Sequence, residues 1–153
     1  MVNGDDASAP SFGFRCKKAF EKQGYKVHNF NFRQLQLHRL TLGKNVLGQQ
    51  LLRTAFNLNP DLLFVNKGES IPEKIIETIS NNKIKTANWC LDDPFGEYFS
   101  FNNIKNRNEY DDFFVFDPYY VPKLKETGQP NAYYLPCAVD PDFHKEMIPI
   151  PKR

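Results

Sequence analysis

Cysteine is scarce in this chain, with three among 153 residues at Cys16, Cys90 and Cys137. They lie far apart and lack Cys-x-x-Cys spacing, so neither a disulfide framework nor a zinc site is indicated. The histidines, His28, His38 and His144, are equally scattered. An excess of one charge is also lacking: 20 basic and 18 acidic residues leave +2. Such a balance offers no electrostatic case for nucleic acid. No apolar run reaches the roughly 18 residues of a membrane-spanning helix. The start, Met-Val-Asn-Gly-Asp-Asp, has neither the basic opening nor the apolar stretch of a secretory signal, so a reducing, cytoplasmic setting is expected. Gly-x-Gly-x-x-Gly and Gly-x-x-x-x-Gly-Lys-Ser/Thr are both absent, which removes the usual phosphate cradles. The Gly-x-Ser-x-Gly hydrolase elbow is absent too.

What the chain does contain is an ordinary globular mixture, 41% hydrophobic, 14% aromatic and 25% charged. That composition excludes wholesale disorder and fibrous repeats, and the length suits one domain with a real core. A helical pattern runs over 11–23, with Phe14, Ala19, Phe20 and Cys16 as its apolar stripe, Ser11 as N-cap and Gly24 as stop. Tyr25 to Phe30 alternates as a strand, and a second helix covers 46–58. Asp61 to Asn66 is a nearly continuous apolar run of the kind that suits a parallel strand covered on both faces. Pro72 opens a helix to about Asn81 with the stripe Ile75, Ile76 and Ile79. Strands follow at 85–91, 113–116 and 132–135, separated by a Phe- and Asn-rich loop with a short helix over 95–109 and by a helix from Tyr119 or Tyr120 to Glu126.

Strands alternating with helices of this size predict an α/β, Rossmann-like, doubly wound and mainly parallel sheet with helices on both faces. Residues 1–136 form that domain, its first strand truncated or absent because only Met1 and Val2 precede Asn3-Gly4-Asp5-Asp6. Residues 137–153 are proline-rich and read as an extended linker.

Ligands of open α/β sheets bind beyond the carboxyl ends of the strands. That rule selects the loop 4–11, Asn66-Lys67-Gly68-Glu69, Trp89 through Pro94, and Asp117-Pro118. The same residue types are also ordinary turn and cap formers. Asp92 and Asp93 are the sharpest feature: adjacent carboxylates suit a general base and a hydroxyl partner, and a metal there needs further oxygen ligands. Trp89 is a candidate to stack on a sugar or base, or a core residue. Asp5-Asp6, a helix and Gly24-Tyr25-Lys26-Val27 are similar to the opening of a two-component receiver domain. Asn66 stands where that family needs a phosphorylatable Asp, so a phospho-acceptor role is not expected.

Five segments taken in order carry a family likeness. They are Ala19-Phe20 with Gly24-Tyr25-Lys26-Val27, then Pro60 to Gly68, Thr86-Ala87-Asn88-Trp89-Cys90-Leu91-Asp92-Asp93-Pro94, Tyr110 to Asp117, and Tyr134-Leu135-Pro136-Cys137-Ala138-Val139-Asp140-Pro141. The set, over about residues 11–146, resembles the N-terminal half of the CgeB-like spore-maturation glycosyltransferases. The resemblance implies a GT-B architecture, two Rossmann-like domains facing across a cleft. This chain is then the acceptor-side domain, and the nucleotide-sugar donor is held by a C-terminal domain that the chain does not contain. Such enzymes generally need no bound metal, and no cofactor is called for. The expected catalytic residues are Asp92 and Asp93, with Asn66, Lys67, Gly68, Trp89 and Asp117 binding substrate. Alone, the chain is expected to be inactive; sugar and acceptor stay open. The alternative is a non-catalytic binding module on the same fold, with Phe95, Tyr98, Phe99, Phe101, Tyr119 and Tyr120 as its surface for a partner domain or subunit.

Overall fold

The apolar run after Asp61 becomes a central strand, β3 (Leu62–Asn66), in which Val65 is fully buried. The structure is a computed structural model and describes residues 2–3, 11–31, 46–68, 71–96 and 105–141. Around β3 lie β1 (Val2–Asn3), β2 (Phe30–Asn31), β4 (Lys85–Cys90), β5 (Asp112–Val115) and β6 (Ala132–Tyr134). Every pairing is parallel, in the order β2-β1-β3-β4-β5-β6. The helices are α1 (Phe12–Lys22), α2 (46–58), α3 (Glu73–Asn81) and α4 (Tyr120–Glu126), with a 3-10 turn at Lys105–Glu109. This is an α/β, Rossmann-like parallel sheet.

Strand alternation divides the side chains between two faces. Phe64, Trp89, Phe114 and Tyr133 share one face by register. Helix α1 covers part of it, with Phe20 against Phe64 at 5.3 Å and Phe12 against Trp89 at 4.8 Å between ring centroids. The opposite face carries Leu63, Val65, Phe113 and Val115 into the main core. Leu47, Leu51 and Ala55 of α2, Ile75, Ile76 and Ile79 of α3, and Leu124 of α4 close that core. Their spacing of three and four residues makes one stripe on each helix. No helix among the described residues is long and apolar enough to cross a membrane.

Several expectations need correction. The first strand is a two-residue stub, Val2–Asn3, that lies inside the sheet, since Val2 pairs with both Phe30 and Val65. Tyr25 does not begin a strand. Its N–H donates to Phe20 O at 3.1 Å while Gly24 N–H donates to Glu21 O at 3.0 Å, which is the double bond of a Schellman helix end. The Phe20–Tyr25 ring contact at 6.1 Å is the apolar clasp of that motif, so only Phe30–Asn31 joins the sheet. The stripe of α1 is rotated: Cys16 and Phe20 turn inward as expected, joined by Phe12 and Gly13, while Phe14 (47% exposed) and Ala19 are exposed. Pro72 is the cap before α3, with extended ψ 140°, rather than its first helical residue. Of the expected loops, 4–10, 69–70 and 97–104 lie outside the described residues, as do 142–153 of the linker; residues 135–140 carry no helix or strand.

The amino-terminal rim of the sheet is locked by one carboxylate. Asp111 accepts from Thr86 N at 2.6 Å, Thr86 Oγ1 at 3.0 Å and Ser80 Oγ at 2.9 Å, joining α3, β4 and β5. Burial pushes this carboxyl upward, but the bonds from Thr86 and Ser80, with the charge of Lys85, outweigh it and hold the group below the usual carboxylate value. A folded-state value below the unfolded one adds stability above the unfolded pKa, and the gain disappears as pH falls through the folded value. Asp111→Asn is therefore expected to cost about 1–3 kcal/mol at neutral pH. The gap between variant and parent should narrow below about pH 4. Urea unfolding at pH 7, 4 and 3 checks this; a gap independent of pH contradicts it.

Candidate functional site

The carboxyl rim is built at the end of β3, where the chain makes two consecutive left-handed residues, Lys67 (φ 66°) and Gly68 (φ 92°). Lys67 N–H still donates to Trp89 O at 3.1 Å, so the loop stays tied to β4. Two buried amides brace it from below. Asn88 Nδ2 donates to Lys67 O at 2.6 Å, and Asn106 Nδ2 donates to Ile71 O at 2.8 Å and Gly68 O at 3.4 Å. Space at Gly68 is minimal: a Cβ would meet Tyr110 Oη at 2.8 Å, Val65 Cγ1 at 2.9 Å and Asn88 Nδ2 at 3.0 Å. The conformation and the packing each require glycine here.

Asn66 is only 6% exposed, and neither its Oδ1 nor its Nδ2 has a hydrogen-bond partner among the described residues. A buried carboxamide with both functions unpaired is uncommon, because each lost bond costs on the order of 1–3 kcal/mol. Register sets Asn66 beside Trp89 on the α1 face of the sheet. The next residue, Lys67, reaches across the rim, its Nζ 2.6 Å from Asp92 Oδ2. Both side chains are partly exposed, so this pair contributes little to stability, roughly 0–1 kcal/mol.

The remaining rim groups serve their own turns. Asp93 Oδ1 accepts from Phe95 N at 2.8 Å, and Asp117 Oδ1 accepts from Tyr119 N at 2.9 Å at the start of α4. Both face Tyr120: burial first, then the charges of Asp93 and Asp117, raise its phenol above the ordinary value. Phe95 is held between Lys123 Nζ, 4.3 Å from its ring, and Arg107 Cζ at 5.0 Å. Phe95 and Tyr120 pack on the core, while Tyr119 is 69% exposed. Tyr98, Phe99 and Phe101 lie outside the described residues.

The structure thus brings Asn66, Lys67, Gly68 and Asp92 together on one rim. Asp93 and Asp117 stand around Tyr120. Trp89 turns onto the sheet face, where its Nε1 donates to Leu135 O at 3.1 Å. Cys90 is buried, and its Sγ donates to Asp92 O at 3.1 Å, which helps fix the turn that presents Asp92. Sequence reasoning missed Asn88 and Asn106. Only Asn88, polar inside the strand Thr86-Ala87-Asn88-Trp89, left a readable sign. No three His, Cys, Asp or Glu side chains cluster as metal ligands among the described residues. No family model, curated protein or solved structure matches the chain.

Proposed function

We propose that the chain is the acceptor-side domain of a glycosyltransferase, with the nucleotide-sugar donor held by a further domain or subunit. The observation that carries this reading is the unpaired carboxamide of Asn66 at the end of β3, directly before Lys67, whose side chain pairs with Asp92. A hydroxyl both donates and accepts, so it satisfies Oδ1 and Nδ2 together, and sugars present hydroxyls in pairs. Asp92 is then the group that orients the acceptor hydroxyl and takes its proton as the oxygen attacks the donor's anomeric carbon and the nucleotide leaves. Lys67 holds Asp92 in place. Asp93, engaged with Phe95 N–H, shapes the turn.

The isolated chain gives the test. Saturation-transfer NMR is expected to detect weak, millimolar binding of neutral mono- and disaccharides, about 4 kcal/mol. UDP-glucose should bind no more tightly than glucose. Asp92→Asn should leave thermal stability within about 0.5 kcal/mol of the parent and weaken saccharide binding several-fold. Tight UDP-glucose binding, or no saccharide binding at all, overturns the assignment. The second reading, a non-catalytic partner-binding module, draws on the exposure of Tyr119, Tyr133, Tyr134 and Val139. It gains if saccharides do not bind and Asp92→Asn is silent.

A further inference from the structure

The geometry points to a second binding site, on the α1 side of Trp89, for a small anionic amphiphile: a carboxylate on an apolar body. Between α1 and the segment 138–141 lies a cavity of about 540 Å³, within the usual range for small-molecule sites. Its floor is apolar. Phe12, Cys16 and Ala19 form one stripe of α1, three and four residues apart, and meet the half-buried Trp89. Val139 and Pro141 supply the facing wall. That wall is tied down at both ends of its approach, by Trp89 Nε1 donating to Leu135 O and by Arg15 Nη1 at 4.0 Å from Asp140 Oδ2.

Charge decides the class of ligand. Arg15, Lys18 and Lys22 repeat along α1 at three- and four-residue intervals, so they form a cationic ridge parallel to the apolar stripe. Asp140 is the single acid in the lining and pairs with Arg15, while Lys18 and Lys22 add two further positive charges to the same wall. An apolar body over that floor, with its anionic head at the ridge, satisfies both surfaces at once.

Trp89 is the only tryptophan of the chain and lies in the floor, so its fluorescence reports occupancy directly. The full chain is titrated with sodium decanoate below its micellar concentration, with 1-decanol, and with phosphatidylglycerol vesicles. Decanoate is expected to change Trp89 emission saturably at one molecule per chain, and decanol to bind more weakly. Lys18→Gln/Lys22→Gln, both at exposed positions, should weaken decanoate roughly fivefold, as befits two partly exposed ion pairs, with unchanged circular dichroism. No saturable change, equal affinity for decanol, an unaffected double variant, or a response to vesicles alone each overturns the proposal.

Discussion

Gly68→Ala should lower the melting midpoint by roughly 10 °C, a large effect for one methyl group. Two terms combine. The left-handed conformation at φ 92° costs an L-residue about 1–2 kcal/mol. The new Cβ also falls 2.8 Å from Tyr110 Oη and 2.9 Å from Val65 Cγ1, an overpacking that adds about 1–3 kcal/mol. For a chain near this size each kcal/mol moves the midpoint by about 2–4 °C, which gives the expected shift. The two terms separate in a double-mutant cycle, because Tyr110→Phe removes the nearest obstructing atom but not the φ strain. Gly68→Ala should therefore cost less on the Tyr110→Phe background than on the parent, with part of the loss remaining. Full additivity would show that the contact with Tyr110 plays no part.

Asn66→Leu should have the opposite sign. Leucine keeps the branching and heavy-atom count of asparagine, its methyl ends being bulkier at some cost in packing, and removes two polar groups that no described residue bonds. Removing an unpaired buried donor and acceptor recovers about 1–3 kcal/mol, and the apolar replacement gains from the same burial. A net stabilisation of about 1–2 kcal/mol, or some 3–5 °C, is expected together with complete loss of saccharide binding. The combination is diagnostic. A residue kept for packing loses stability when replaced, whereas one kept to read a ligand gains stability and loses function. Differential scanning calorimetry beside saturation-transfer NMR measures both, and a destabilised Asn66→Leu variant would show that its carboxamide serves the fold.

The layers of the fold were legible where burial dictates composition. Leu63, Val65, Phe113 and Val115 are apolar because they enter the main core, Phe64 because Phe20 of α1 packs on it, and Ile75, Ile76 and Ile79 mark the single inward stripe of α3. Strand β1 was readable only as truncated or absent, because two residues, Val2 and Asn3, carry no periodicity; its place is set by neighbours distant in sequence. Tyr25 misled because an aromatic in an alternating stretch looks the same whether it enters a sheet or clasps a helix end. The rim was legible as a set of loops, since Lys67-Gly68 and Asp92-Asp93 follow apolar strands. Their division of labour was not. Asp92 meets Lys67 while Asp93 caps its own turn, and that difference depends on backbone direction rather than residue type. The braces Asn88 and Asn106 were hidden for a related reason: their partners are carbonyls 21 and 35 residues away.

The central claim is that the Asn66 carboxamide reads hydroxyl groups on the carboxyl rim. Its most direct test is a two-dimensional ¹⁵N–¹H titration of the chain with neutral saccharides, following the Asn66 side-chain NH₂ pair and the Lys67 and Gly68 amides. The account predicts saturable shifts of these signals at one common midpoint, absent from the titration with 1-decanol. Saccharide titration that leaves the Asn66 NH₂ pair unmoved, or moves only signals of α1 and Trp89, would contradict it.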